Sequence, residues 1–213
     1  MALSKVDFNN INVTPAASKA LKWNSSANGF ETGDLGGNMV LLSTTTASSS
    51  ATVDFTSDID STYKEYIFKF IDIHPATNGA ELQFQTDTGT NTSYNQTITS
   101  TTFYDEHKED GTGGNLAYST GNDEAQSTAF QILNANVGSD NDQSCAGYLH
   151  LFDPASTTFV KHFLAKTRSS QSGDYAAGDY VAGYFNTTTA ITRVRFKMSS
   201  GNIDAGTIKM YGI

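Results

Sequence analysis

The 213-residue chain has little charge, a single cysteine, three prolines and no long apolar run. Charged residues make up 16% of the sequence, well below the roughly one quarter that is usual in globular domains. The longest apolar stretch, around Tyr66 to Ile71, is far too short to cross a membrane, so we expect no membrane insertion. Cys145 has no second cysteine with which to form an internal disulfide. The first residues lack the apolar core of a secretory signal, so we expect synthesis in a cytoplasm.

Negative charge predominates among the few charged residues. The chain has 13 Lys and Arg against 22 Asp and Glu, a formal net charge of −9. Because nucleic-acid binding requires a basic surface that displaces counterions from phosphates, this balance argues against nucleic acid as a partner. Arg193, Arg195 and Lys197 alternate along a predicted strand, and we interpret them as one solvated face.

Uncharged polar residues and aromatic residues take the place of the missing charge. The chain contains about 50 Ser and Thr residues, 13 Phe and 10 Tyr. The aromatic residues supply large areas for burial, so we expect a folded domain with a substantial core. A composition rich in Ser and Thr and poor in Lys is typical of proteins that work outside cells.

From Asn38 onward, apolar residues alternate with polar ones, and turn residues interrupt the pattern every ~8–13 residues. This period predicts an all-β fold, namely a single antiparallel β-sandwich of jelly-roll-like type. Segment 63–73 shows the strongest pattern. Alternate residues point to its two sides, with Tyr66, Phe68 and Phe70 on one and Ile67, Ile71 and Ile73 on the other. Because both sides are apolar, we expect a central strand that is covered on both faces.

Further strands and two loops follow from the same alternation. The other predicted strands are residues 39–45, 51–55, 94–104, 128–137, 146–152, 158–166, 175–185, 191–198 and 207–213, with Leu82 and Phe84 on a strand that returns after a turn at 74–79. Residues 153–156 are predicted to connect a hairpin. The hydrophilic stretches 105–123 and 138–144 are predicted to be loops at an end of the sandwich, where ligands usually bind.

Residues 1–37 differ from the rest because their apolar residues follow no sustained period. Thr14-Pro15 has the pattern of a helix start, and residues 20–25 suit a short strand equally well. We interpret the segment as an N-terminal arm for packing or anchoring, which precedes a sandwich domain at 38–213. The residues that we expect to anchor it are Phe8, Ile11, Val13, Leu21 and Trp23.

Motifs of known catalytic chemistry are missing from the sequence. It contains no G-x-S-x-G elbow, no P-loop and no H-E-x-x-H pair, and its four histidines are not spaced as metal ligands. His150 and His162 would come near each other across the hairpin at 153–156, but we interpret them as ordinary polar residues. Cys145 is interpreted as a small buried residue. We therefore expect no catalytic residue and no enzymatic activity.

Acidic residues and tyrosines on the predicted loops are the candidates for binding. Asp140 and Asp142 offer oxygen ligands of the kind that Ca²⁺ takes, although the EF-hand pattern is absent. We expect no cofactor, with solvated acidic loops as the favoured interpretation and bound Ca²⁺ as the alternative. Amphipathic rings can stack on sugars, and five tyrosines lie near predicted loops: Tyr94, Tyr104, Tyr118, Tyr175 and Tyr180. The favoured contact residues among them are Tyr104, Tyr118 and Tyr175.

Two segments carry a resemblance to a known class of protein. The stretch VDFNNINVTPAASKALKW, residues 6–23, and the closing MSSGNIDAGTIKMYGI, residues 198–213, are similar to small virion structural proteins of marine tailed bacteriophages, including cyanophages. The similar proteins are of the tail-fibre and surface-decoration type. The resemblance extends along the chain and brings no catalytic residues with it.

The resemblance implies a protein that assembles in several copies on the surface of a virus particle. Its expected partners are itself, as a homotrimer because fibres and decorations often occupy threefold positions, and other phage capsid or tail proteins. Synthesis in a host cytoplasm followed by exposure on a virion reconciles the missing signal with the composition. Two alternatives remain, a glycan-binding module for host adhesion at a fibre tip and a polysaccharide depolymerase.

Overall fold

The computed structural model describes residues 19–33, 39–90 and 92–213. The chain divides into two compact units, Met1–Met39 and Val40–Ile213. Three of the expected anchoring residues, Phe8, Ile11 and Val13, lie outside the described residues, as does the predicted helix start at Thr14-Pro15.

The described part of the first unit is a β-hairpin of β1 (Ala20–Trp23) and β2 (Phe30–Gly33). The turn between them is closed by a hydrogen bond from the backbone N–H of Asn24 to the carbonyl of Gly29, at 2.9 Å. Of the two interpretations that the sequence allowed for this region, the structure shows the short strand.

The second unit is built of antiparallel strands, with no helix among its described residues. They are β3 (Val40–Ser50), β4 (Val53–Phe55), β5 (Glu65–Pro75), β6 (Ala80–Asp87), β7 (Ile98–Lys108), β8 (Gly114–Tyr118), β9 (Ala125–Ser127), β10 (Gln131–Val137), β11 (Cys145–Phe152), β12 (Lys161–Ser170), β13 (Tyr175–Phe185), β14 (Arg193–Met198) and β15 (Ile203–Gly212). The predicted all-β sandwich is confirmed. No helix long and apolar enough to cross a membrane occurs in the described ranges.

The strands form two sheets of unequal size that pack face to face. The large sheet has the order β3-β15-β5-β11-β12-β13-β7-β8, with β9 also paired to β7, and the small sheet has the order β10-β6-β14-β4. Strands that follow each other in the chain, such as β5 and β6 or β14 and β15, lie in different sheets. The chain therefore repeatedly crosses the space between the sheets, which ties the two layers together.

An aromatic cluster fills the space between the sheets. Phe196 on β14 lies at its centre, with its ring centroid 5.3 Å from Phe68 and 5.2 Å from Phe70 on the large sheet. Phe55 and Phe84 on the small sheet complete the contacts of this ring, at 6.1 Å and 6.3 Å. All five side chains are almost fully buried, so this cluster supplies much of the hydrophobic stabilisation of the sandwich.

β5 is a central strand, as predicted, but only one of its faces is buried throughout. Tyr66, Phe68 and Phe70 point into the core. Asp72 has a left-handed backbone, with φ of 50°, and the register of β5 shifts here against β11 and β15. This bulge turns Ile73 to the inside, while Ile71 is 40% exposed. The prediction that both faces are covered holds at Ile67, which is 4% exposed on the outer side, but is wrong at Ile71, where the outer face of the sheet is open.

The predicted loop 105–123 is also wrong in large part. β7 continues to Lys108, and β8 pairs with it over Gly114 to Tyr118. This region has no apolar alternation because the outer side of β7 meets solvent and its inner side meets a polar pocket. Asp105 therefore points outward, where its carboxylate pairs with Arg168, and Glu106 lines the pocket.

Three further predictions about connections and strand starts are confirmed in part. Residues 138–144 lie between β10 and β11 and form a loop, as expected. β11 and β12 pair as the predicted hairpin, but His150 lies opposite Leu164 and contacts the carboxylate of Glu65 instead of His162. The predicted strand 94–104 begins only at Ile98.

Candidate contact surface

The outer face of the large sheet carries a row of aromatic and lysine side chains. Residues that lie directly opposite each other in antiparallel strands point to the same face. One such row of successive partners crosses the sheet from β8 to β15, and we call it the aromatic–lysine row: Tyr118, Phe103, Tyr180, Lys166, Tyr148, Lys69 and Lys209. The row is therefore specified by strand register, since its members are distant in the sequence.

The members of the row contact one another. The rings of Phe103 and Tyr180 stack with centroids 4.7 Å apart and planes within 5°. The ammonium of Lys166 lies 5.0 Å from the centroid of the Tyr180 ring, and that of Lys69 lies 5.5 Å from the ring of Tyr211 on the neighbouring row. Each of these cation–π contacts contributes about 0.5–1 kcal/mol at exposed positions.

A shallow groove of about 480 Å³ lies beside the row. Its floor includes the small side chains of Thr101 and Ala182, which are cross-strand partners. The larger side chains of Phe103, Tyr148 and Leu164 stand around it. The groove forms because short residues on β7 and β13 alternate with tall ones along the same face.

This face gathers large apolar side chains that remain exposed. They are Leu41, Ile71, Phe103, Leu116, Tyr118, Tyr148 and Leu164, each between 39% and 71% exposed. Phe103, Tyr148 and Leu164 surround the groove together, whereas Leu41 and Leu116 lie on the two opposite edge strands of the sheet. Exposed apolar groups of this kind are typical of contact sites.

The face is also basic, although the chain as a whole is acidic. Within the described ranges, Lys69, Lys166 and Lys209 form no salt bridge. Asp105 on the same face pairs with Arg168, and Glu65 contacts His150, which is neutral in the formal charge count. Lys69, Lys166, Lys209 and Arg168 thus outnumber these two carboxylates. The three lysines therefore leave a local positive charge that favours a partner with negative charge.

The five residues predicted to contact a ligand do not form one site in the structure. Tyr118 belongs to the aromatic–lysine row, and its hydroxyl donates a hydrogen bond to Asp123 at 2.6 Å, which raises the pKa of Tyr118. Asp140 and Asp142 lie on the loop 138–144, Tyr175 begins β13, and Tyr104 points to the inner side of β7. Tyr118 alone of the five lies on the exposed apolar face. Tyr180, a further tyrosine considered from the sequence, also belongs to the row. The remaining members were missed because cross-strand register is not visible in a linear sequence.

A polar pocket of about 260 Å³ lies on the inner side of β7 and is lined in part by Glu81, Tyr104, Glu106 and Asp179. Asp179 is 3% exposed, and its carboxylate accepts hydrogen bonds from the Asn134 amide at 3.0 Å and the Ala135 N–H at 3.3 Å. Burial, together with the nearby acidic residues, raises its pKa to about 6. The Asp179 carboxylate is therefore engaged with Asn134 and Ala135 at the inner wall of the pocket.

Groups for metal or nucleophilic chemistry are sparse. Over the described residues, no set of three or more His, Cys, Asp or Glu side chains is arranged to hold a metal ion. Burial raises the pKa of the Cys145 thiol well above its usual range, so this thiol stays protonated at neutral pH. Among the described residues, Asp140 and Asp142 therefore belong to no group of three such side chains that could bind Ca²⁺.

The basic residues of β14 do not form a freely solvated face, contrary to the sequence interpretation. Arg195 makes two hydrogen bonds to the carboxylate of Asp54, at 2.8 Å and 2.6 Å, and its guanidinium lies 4.0 Å from the ring centroid of Tyr94. Lys197 lies over the ring of Phe130 at 4.5 Å. Tyr94, considered from the sequence as a sugar-stacking residue, is 2% exposed and is used here for packing.

We expect Arg195→Lys to lower the free energy of unfolding by about 1–2 kcal/mol, because lysine cannot reproduce the paired hydrogen bonds and the planar contact with Tyr94. Urea unfolding followed by circular dichroism measures the change. Arg168→Lys is the matched control, since Arg168 is more exposed and bonds Asp105 through a single nitrogen. Equal losses in the two variants would contradict this role for Arg195.

The hairpin of the first unit has an exposed apolar face of its own. The rings of Trp23 and Phe30 stack at 4.5 Å across the two strands, yet they are 62% and 42% exposed, and Leu21 is 41% exposed. A two-stranded hairpin is marginally stable by itself in water. Leu21 and Trp23, two of the five expected anchoring residues, are therefore available to contact another surface.

The fold and these surfaces define a β-sandwich protein with an exposed aromatic and basic face. No family model matches the chain, and no curated protein matches it. Among solved structures, one described as that of the infectious bursal disease virus Gx strain is similar at 15% identity, over 91% of this chain and 43% of that chain, with a TM-score of 0.17. The chain thus spans less than half of that chain's length, and a likeness of this size carries no argument.

Proposed function

We propose that the protein is a non-enzymatic structural protein of a tailed bacteriophage, which assembles in several copies on the surface of the particle. The observation that carries the proposal is the exposed apolar face of the large sheet. The exposed Phe103, Tyr148 and Leu164 around the groove are costly to leave in water, and contact with a neighbouring protein removes that cost. The resemblance of residues 6–23 and 198–213 to phage virion proteins supports the same function.

The hairpin of the first unit provides a second contact in this proposal. Leu21, Trp23 and Phe30 form a small apolar face that fits the anchoring function expected of the arm. Trp is among the residues that contribute most to binding energy when they become buried in an interface. In this arrangement the hairpin attaches the protein to the capsid or the tail, and the sandwich is presented to the surroundings.

Mass spectrometry of gradient-purified particles of the encoding phage tests the proposal. We expect peptides of this chain in amounts comparable with those of other structural proteins, and immunogold labelling at one defined place on the particle. A phage encoding Trp23→Ser should carry much less of the protein, whereas Phe159→Ser, which changes a 70% exposed residue of the second unit, should not reduce it. Detection in infected-cell lysate but not in purified particles would overturn the proposal.

Binding of an anionic glycan is a second candidate function, favoured by the combination of aromatic rings and lysines in one row. Sugars stack on aromatic rings, and carboxylate or sulfate groups on a polysaccharide would pair with Lys69, Lys166 and Lys209. Strand spacing places Lys166 and Lys69 about 10 Å apart across the sheet, so an extended polymer can contact both. In this case the sandwich would be the adhesion module of a fibre tip.

For this second candidate, we expect Tyr148→Ala and Lys166→Ala each to weaken binding to an acidic polysaccharide by about 10-fold, corresponding to one lost stacking or charged contact. Glycan arrays followed by calorimetry provide the measurement. Tyr175→Ala is the control, because Tyr175 begins β13 and does not belong to the row. If the protein binds neither acidic nor neutral glycans, the adhesive function is contradicted and the structural function is unaffected.

A further inference from the structure

The edges of the two sheets differ in how well they are protected against pairing with another chain. An edge strand presents unpaired N–H and C=O groups, and proteins usually shorten, bulge or charge such strands. In the described part of the sandwich, β4 and β9 have three residues and β8 has five. β10 is longer, but its register against β6 shifts twice, and Asn136 within it has φ of 56°. These edges are therefore blunted by length or by bulges.

β3 is an edge strand whose middle, residues 43–48, lacks this protection. It runs for 11 residues with the sequence VLLSTTTASSS, which contains neither a charged residue nor a proline. As far as the structure describes the chain, β3 pairs with β15 and with no other strand. Its register shifts once, at the start of the strand near Leu42, and Ser49 near its end has a left-handed backbone with φ of 51°, but the pairing is regular over residues 43–48. A straight, uncharged segment of about 20 Å is thus open on one side.

We propose that β3 is an assembly edge, at which β3 of one copy pairs in antiparallel orientation with β3 of a second copy. Self-pairing is favoured because an uncharged strand brings no like charges together in any register. With Thr45 on the two-fold axis, for example, Thr44 of each copy lies opposite Thr46 of the other, and cross-strand Thr pairs stabilise a sheet. The large sheets of the two copies then become one continuous sheet.

Two-fold pairing at β3 also brings together the aromatic–lysine rows of the two copies. A two-fold axis that joins two edge strands into one sheet stands perpendicular to that sheet, so the outer faces of both copies lie on the same side. Thr44 is the cross-strand partner of Lys209, the last member of the row. The two rows therefore meet at the shared edge and form one double-length surface, with the lysines of both copies at its centre.

The inference rests on the proposed assembly in several copies, and it favours two-fold pairing over the threefold arrangement that the resemblance implied. Pairing through main-chain bonds alone gives a small interface, so we expect a weak dimer in solution. On a particle, where copies are held close together, the same contact would be strengthened by the high effective concentration.

Sedimentation equilibrium of the purified full chain, over a wide range of concentrations, tests the edge. The double variant Thr44→Glu with Thr46→Glu places like charges across the two-fold axis while leaving the fold intact, since both side chains are exposed and Glu at position 44 would lie opposite Lys209. We expect the dissociation constant of the dimer to rise at least 10-fold. The control, Thr188→Glu with Thr189→Glu, adds the same charge at exposed positions outside the strands and should change it little.

Several outcomes would overturn the inference. One is a wild-type chain that stays monomeric at the highest concentration, and another is a wild-type chain that forms a trimer. A third is a dimer whose dissociation constant rises equally in both double variants. A thiol cross-link adds a direct check, because Cys145 is buried and an equimolar mixture of the Thr44→Cys and Thr46→Cys variants places exposed thiols opposite each other across the two-fold axis. Oxidation should then yield covalent dimers. None of these measurements requires a virus particle, so failure of the edge and failure of the virion proposal are distinguishable.

Discussion

Replacing Phe196 by Ala is expected to lower the free energy of unfolding by about 3–5 kcal/mol, the range for truncating a large aromatic residue in a core. Phe196 is fully buried and contacts rings from both sheets, among them Phe68 and Phe84. The residues around it are fixed in strands and cannot collapse into the space, so a cavity remains. Denaturant unfolding followed by intrinsic fluorescence or circular dichroism measures the loss.

Phe159→Ala is the matched control for Phe196→Ala. Phe159 is 70% exposed in the connection between β11 and β12, and its truncation should change stability by less than about 0.5 kcal/mol. Phe196→Leu is a second comparison, since it retains more of the apolar volume and should cost less than Phe196→Ala. If Phe196→Ala cost no more than Phe159→Ala, the aromatic cluster would not be what joins the two sheets.

The fold could be predicted from the sequence because most strands bury one face and expose the other. Segment 63–73 shows both the success and its limit. Tyr66, Phe68 and Phe70 follow the two-residue period into the core, as predicted. The left-handed backbone of Asp72 then adds one residue and turns Ile73 inward, and no local pattern in the sequence marks that position.

The extent of β7 and β8 could not be predicted for a different reason. Their residues meet solvent on one side and a polar pocket on the other, so the apolar alternation that identifies a strand is absent. Asp105 and Glu106 resemble loop residues in the sequence but occupy opposite faces of a regular strand.

The contact surface could be predicted least of all. Tyr118 was considered as an aromatic residue near a loop, but the other members of the aromatic–lysine row come from six other strands. Phe103 is brought beside Tyr180, and Lys166 beside Tyr148, by the register of β7, β11, β12 and β13. That register depends on long-range pairing, which a single sequence does not specify.

The stability of the protein is expected to rise as the pH falls from neutral to about 5, through the titration of Asp179. Its pKa of about 6 in the folded state lies above the value of about 3.9 for an unfolded chain. Between these values the folded state holds a proton that the unfolded state has released. Asp179 therefore destabilises the fold above pH 6, and this loss disappears as the pH falls. Two pKa units correspond to about 3 kcal/mol.

Asp179→Asn isolates this contribution. The asparagine oxygen can still accept hydrogen bonds from Asn134 and Ala135, and the variant carries no charge at any pH. We expect it to be more stable than the wild type at pH 7.5, with the difference shrinking towards pH 5. Asp142→Asn, which removes a carboxylate from the exposed loop 138–144, should keep the wild-type dependence. A carboxyl titration of Asp179 near 4 by NMR would contradict the argument, since the acidic residues and the burial around this pocket would then not oppose its charge.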